Sequence, residues 1–405
     1  MTRIKTTIFV SIALSVLAST IILPIIAPLI RELRLSVAEG GWMISIGSIA
    51  TAVTAAAWGT ASDRVGRKLI MLLGFAGLFA SYVLYTSTIW SGLAATLSGS
   101  TLFLLLAATR GLVGGFLPAA SAGAQALMAD HTPDDERSAG MAIIGAANGV
   151  GLVVGPALGG LLALQGLIWP LVLATVLCLV AFFVILVTVP ATPAGVRAKV
   201  AAVNPFAPAL LPWLLAGVLT MFAIVTMQIS GSFYFQEKLG LSSAETGPKL
   251  AVALTLVGVA LFATQILQVK VLQWPARRMI LAGALFWVAG LGALLLTATI
   301  AAYFVAYALL GIGAGFLMPG YMAGASLAVP SDRQGGVAGL SAATQGIGFI
   351  LGPVASTMLY EIDPSLPLWG LLGLMALLFA LFAAPSVTRR SRHYHASRES
   401  PGTSA

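Results

Sequence analysis

Charge is the scarcest commodity in this chain. Of 405 residues only 8% are Asp, Glu, Lys or Arg, against 59% hydrophobic, and mean hydropathy is +1.00. A soluble protein of this length needs far more charge to cover its surface, so a string of water-facing domains is excluded. A single cysteine excludes a disulfide framework and a thiolate metal cluster. The three histidines (His131, His393 and His395) lie beside charged or tail segments, so no buried histidine cluster is on offer. No metal and no cofactor is expected. No lysine follows a glycine, so the phosphate loop of an ATP-driven pump is missing too. Paired acids, or a nucleophile with its base, are equally lacking, which excludes a membrane-embedded enzyme.

What the chain has instead is long apolar runs. Stretches free of charge cover 6–30, 40–62, 69–109, 111–129, 138–196, 200–236, 250–269, 279–331, 334–360 and 364–388. About 20 apolar residues cross the roughly 30 Å of hydrocarbon in a bilayer. Two spans fit in 69–129, two in 138–196 and two in 279–331, and the other runs hold one each, making twelve. None alternates apolar with polar residues, so the spans are helices and not barrel strands. The first run is too long for a signal peptide's apolar region and no small-residue cleavage site follows it, so it reads as a retained span. Pro24 and Pro28 mark a bend in it.

The net charge of +8 is distributed as membrane topology requires. With both termini on one side, that side holds 16 of the Lys and Arg residues, and the other holds Arg31, Arg34, Lys238 and Lys249. The positive-inside rule then places both termini in the cytoplasm. The basic tail, 389–405, reads as a topology anchor contacting lipid headgroups, and no nucleic-acid partner is expected.

The chain also repeats itself. GLVGGFLPAASAGA (111–124) returns as GIGAGFLMPGYMAGA (311–325), GVGLVVGPALGG (149–160) as GIGFILGPVAST (346–357), and GRKLIMLLG (66–74) as ARRMILAGA (276–284). Three matches near one offset of 200 predict two six-helix bundles, 1–190 and 206–388, joined by a cytoplasmic linker at 191–205.

Between the second and third spans stands GTASDRVGRK (59–68). Gly59 would let a neighbouring helix approach, and Gly66 would permit a tight turn. Asp63 is an acid at a helix C-terminus, opposing the macrodipole unless a cation compensates. A plain basic loop obeying the charge rule is the simpler reading, but it gives the Gly and Asp positions no purpose. The string resembles the G-x-x-x-D-R-x-G-R-K/R signature of the major facilitator superfamily, with Gly59, Asp63, Arg64, Gly66, Arg67 and Lys68 at its fixed positions. That resemblance, which covers the whole chain, implies the all-α fold of twelve helices in two pseudo-symmetric bundles. It also implies a conformational latch in which Arg67 pairs with an acid ending the fourth helix, here Asp130.

GLVVGPALGG places Gly151, Gly155 and Gly159 at i, i+4 and i+8, on one helix face. Pro156 removes a backbone donor, which bends the helix. With Gly160 the run resembles the G-x-x-x-G-P-x-x-G-G motif of the superfamily's drug–proton antiporters, which implies an exporter.

Arg110 is the one charge inside the hydrocarbon. A central arginine costs on the order of 3 kcal/mol on insertion scales, so it must face a cavity or a partner. RGLVGG (110–115) resembles the family's fourth-helix R-x-x-x-G motif, implicated in proton transfer. A structural arginine caged by backbone carbonyls is the alternative. No carboxylate is central in any span, which departs from many proton antiporters and suits anionic or zwitterionic substrates. Arg110, Asn148, Gln228 and Gln345 lead the cavity candidates, with Phe233, Tyr234 and Tyr321 as aromatic companions. Gln125, Gln265 and Gln268 rank below them, and interhelical bonding competes for each. The expectation is a monomeric inner-membrane carrier, of bacterial character, exporting a small amphipathic molecule by alternating access with protons as coupling ion. Export of an anionic metabolite such as a carboxylate siderophore, recognised by Arg110, is the alternative, and uptake by the same fold is the second.

Overall fold

The computed structural model describes residues 3–130, 137–190, 203–330 and 333–384. Twelve of its helical segments are long and apolar enough to span a membrane. The helices run α1 (Arg3–Thr20), α2 (Ile26–Glu32), α3 (Val37–Val65), α4 (Arg67–Leu93), α5 (Gly99–Asp130), α6 (Arg137–Ala163), α7 (Trp169–Thr188), α8 (Leu211–Lys238), α9 (Ser243–Leu267), α10 (Ala276–Leu296), α11 (Ile300–Leu327), α12 (Gln334–Ile362) and α13 (Leu366–Ala383). No strand occurs among the described residues. In hydrocarbon every backbone donor must be satisfied within its own segment, and helices do that. The first span is α1 plus α2, separated by a 3-10 turn at Leu23–Ile25. Pro24 and Pro28 cannot donate to the carbonyls four residues back, so the helix is re-made at that point. We call the loops after odd-numbered spans distal, and the ends that carry the termini proximal.

The chain folds into two compact units. The first holds α1 to α7 together with Thr226–Gly258 and Ile350–Pro364, and the second holds 203–225, 259–349 and 365–384. This division differs from the halves drawn at 190 and 206, because the distal parts of α8, α9 and α12 pack with the N-terminal helices. Most of the linker and the whole basic tail lie outside the described residues.

Small residues set the spacing within each unit. In the first, α3 and α5 touch backbone to backbone where a side chain on Gly114 would strike Gly47. Thr51 and Thr54 reach across the same seam to the carbonyls of Gly114 and Gly115, at 2.9 and 3.0 Å. Gly74 and Gly77 seat α4 against Ala119, Ala120 and Phe116. In the second unit, Gly283 and Gly313 bring α10 onto α11, and Gly324 lies under the Trp213 ring. Each interhelical hydrogen bond contributes only about 0.6 kcal/mol on average, so close packing carries the bundle.

The repeat has a structural counterpart. Pro118 and Pro319 sit inside α5 and α11, and Pro156 and Pro353 inside α6 and α12. In the first repeat Lys68 Nζ donates to the Leu186 carbonyl near the end of α7, at 2.9 Å. In the second, Arg277 donates to the carbonyls of Phe382 and Ala383 at the end of α13, at 2.7 and 2.9 Å. Both cations satisfy carbonyls that a helix C-terminus leaves without partners.

Candidate transport site and its latches

At the proximal turn between α3 and α4, Gly66 has φ +99°, a conformation that side chains rarely adopt. This reversal lets Arg67 open α4 and fold back into the bundle. Its Nε meets Asp130 Oδ2 at 3.1 Å, and an NH1 contact to Ser62 Oγ at 3.4 Å adds to it. Arg67 is buried while Asp130 is half exposed, so the pair is anchored from one side. Arg64 stands exposed in the last turn of α3, where a cation suits the helix dipole. The side chain of Asp63 lies outside the described residues. At Gly59 a side chain would meet nothing within 4 Å among the described residues, so no close helix approach is seen there.

The glycine face of α6 rests on the first span. A side chain at Gly151 would strike Val16 and Leu17, one at Gly155 the hydroxyl of Thr20, and one at Gly159 the carbonyl of Ile21. Thr20 Oγ1 donates to the Gly151 carbonyl at 2.9 Å across the seam. Pro156 lies within the same helix, and Gly160 faces Ala251 of α9 instead.

Arg110 lies in α5 over Gly47 of α3; a Cβ on that glycine would sit 3.2 Å from the arginine Cγ and 3.3 Å from Nε. The guanidinium is half buried, within electrostatic range of Tyr82 and Tyr85. The tyrosine hydroxyls are committed elsewhere, Tyr82 to the Ala18 carbonyl at 3.1 Å and Tyr85 to Met43 Sδ at 3.5 Å. Among the described residues neither a carboxylate nor a carbonyl bonds to Arg110.

The remaining cavity candidates are dispersed. Asn148 is half buried in the first unit, as is Gln228, and neither bonds to Arg110 among the described residues. In the second unit Gln345 Nε2 donates to Tyr321 OH at 3.1 Å. Phe233 and Tyr234 are buried, and the Phe233 ring lies 5.8 Å from that of Tyr360. Gln268 closes a turn by donating to the Trp274 carbonyl at 3.0 Å, while Gln125 is exposed and Gln265 half buried.

Sequence reasoning missed a cluster at the distal end of the first unit. Glu237 Oε2, at the end of α8, accepts from Tyr360 OH at 2.6 Å and pairs with Arg31 at 3.2 Å. Glu361 Oε1 accepts the Ala38 amide at 2.9 Å, adding to the capping box of Ser36 and Glu39 at the start of α3. Gly41 is packed under Thr357 and the Pro353 carbonyl, and Ser45 Oγ donates to the Ile350 carbonyl at 2.8 Å. The available signal is Arg31, one of four distal cations, opposite acids of remote loops, and charge distribution by itself assigns it only to topology.

Twelve apolar helices in two repeats, with ion pairs near their ends and a cation inside a span that no acid or carbonyl bonds among the described residues, define a polytopic membrane protein. The chain belongs to the Major Facilitator Superfamily, whose profile matches residues 8–274 and 250–404. Among curated proteins it is 32% identical to "Multidrug resistance protein MdtG" of Yersinia enterocolitica over 146 residues, 36% of this chain and 32% of that protein. The chain thus spans about a third of that relative's length. It is 27% identical to "Tetracycline resistance protein, class G" of Vibrio anguillarum over 333 residues, 79% of this chain and 80% of that one. Among solved structures, a bacterial homologue of the human lysosomal transporter Spinster, inward-facing and unoccupied, aligns with a TM-score of 0.70 at 17% identity over 98% of both chains. A bacterial homologue of the iron transporter ferroportin gives 0.72 at 16% identity, covering 95% of this chain and 98% of that one. Those two show the fold.

Proposed function

We propose that this carrier exports a small amphipathic molecule bearing an anionic group from the cytoplasm, by alternating access. One observation carries the reading: a half-buried guanidinium lies in a span with no bonded acid or carbonyl among the described residues. A cation so placed favours a ligand that brings the compensating charge, a carboxylate above all, which also covers the carboxylate siderophore alternative. The apolar surroundings favour a ligand with hydrocarbon or ring surface. The direction rests on the glycine face of α6 and on relatives named for multidrug and tetracycline resistance. We assign the inner membrane of a bacterium, both termini in the cytoplasm, a monomer, and protons as the coupling ion. The first half of the chain supplies the Arg67–Asp130 latch, which breaks and re-forms as the proximal end opens and closes.

Everted membrane vesicles test this directly. Loaded with an imposed pH gradient, they should accumulate lipophilic carboxylates in preference to matched cations, and collapse of the gradient should stop them. Accumulation of cations alone, or indifference to the gradient, would remove the anion or the proton from the reading respectively.

A further inference from the structure

We infer that Thr226, Ser230, Phe233 and Glu237 form a gate face on α8, in which a tethered carboxylate at the distal tip holds shut a contact that two buried hydroxyls load toward opening. The four residues are spaced i, i+4, i+7 and i+11 and so share one stripe of the helix. What that stripe faces is fixed at its distal end. Glu237 is bonded to Tyr360 and Arg31, and Phe233 packs on the Tyr360 ring. The stripe therefore runs along a seam whose other wall is supplied by the first span and by the end of α12. All of these residues fall within the first unit.

The two ends of the stripe act in opposite senses. At the tip, one carboxylate oxygen accepts from a phenol and a guanidinium carried by two separate spans, so moving α8 off the seam breaks both bonds at once. Deeper in, Thr226 is 1% exposed and Ser230 0%, and neither hydroxyl meets a hydrogen-bonding group among the described residues. A hydroxyl buried without a partner disfavours the state that buries it, by on the order of ten-fold in population for each group. Opening the seam would wet both. The closed distal end is thus a balance between a lock and a load, which is what a carrier that must leave each state readily requires. The inference rests on the chain being a carrier and is independent of its substrate.

The test uses the full chain in lipid nanodiscs without substrate. Cys178 is buried, so it is replaced by Ala, and Ser45→Cys provides a reporter at 1% exposure that is outside the gate face. Its maleimide labelling rate reads distal opening. Glu237→Gln should raise the rate about ten-fold, and Arg31→Gln or Tyr360→Phe by less. Thr226→Val with Ser230→Ala should lower it several-fold, and should bring Glu237→Gln back toward the parent rate. Because Glu237→Gln could simply unfold the protein, melting temperature is recorded for each variant, and Arg31→Gln breaks the same pair from the other side. Parent-like labelling in both Glu237→Gln and Arg31→Gln would overturn the lock. Unchanged or faster labelling in the hydroxyl double variant would overturn the load.

Discussion

Replacing Arg110 by Gln separates a substrate-binding arginine from a structural one. The guanidinium lies against Gly47, where the absent side chain leaves it room, and the nearby phenols of Tyr82 and Tyr85 are spent on Ala18 and Met43. Among the described residues no protein hydrogen bond or ion pair is lost with it. What is lost is the charge-assisted bond to a ligand carboxylate, worth about 1.5–3 kcal/mol net. Affinity for a lipophilic carboxylate should therefore fall roughly 10- to 150-fold. A cation of matched shape should bind as before or somewhat better, since a like charge has gone. Arg110→Lys should recover part of the loss, because it keeps the charge but not the planar fork. The melting temperature should stay level or rise, as a half-buried cation that bonds no acid or carbonyl among the described residues contributes no stability. Isothermal titration of the purified protein with the matched anion and cation, beside a melting curve, measures all of this. Equal weakening of both ligands together with a lower melting temperature would refute the reasoning.

Three further outcomes follow from the geometry. Gly155→Leu should abolish transport and lower the melting temperature, because even its Cβ falls on Thr20 and overpacking costs about 1–3 kcal/mol or more; vesicle uptake beside a melting curve checks it, and intact transport would detach the glycine face from function. Asp130→Asn removes the charged partner of the Arg67 Nε, so transport should drop severely while stability falls by about 1 kcal/mol, since Asp130 is half exposed; a parent-like transport rate would show the latch to be idle. Gly66→Ala forces a side chain onto a backbone of φ +99° and ψ +151°, a region nearly confined to glycine, at about 1–3 kcal/mol, to be read as a lowered melting temperature without any change in substrate preference.

The spans were legible because length and hydropathy act locally: a run such as 364–388 needs no partner to declare itself, and α13 duly occupies it. Arg67 and Asp130 were legible because a motif pairs them, and the structure brings them to 3.1 Å. The distal cluster was not, since Arg31, Glu237 and Tyr360 come from three spans more than a hundred residues apart, and no periodicity links them. Nor could the sequence show that Gly59 meets none of the described residues, because a glycine records permission for contact and not the contact itself. Phe233 illustrates the same limit. Its closeness in sequence to Gln228 suggests a cavity aromatic, but sequence alone gives no hint of the Tyr360 ring that lies 5.8 Å from it at the distal seam.

The mooring of Lys68 to α7 and of Arg277 to α13 has a mechanical consequence. In each repeat the turn leading into the third helix is tied to the tail end of the sixth, so force applied at that turn is delivered to the exit point of its own repeat. For the first repeat this exit is where the chain leaves for the linker. A tilt of the latch turn is therefore carried to the last turn of α7. Neutralising Lys68 should then loosen the latch turn and the end of α7 together, as two ends of one tether.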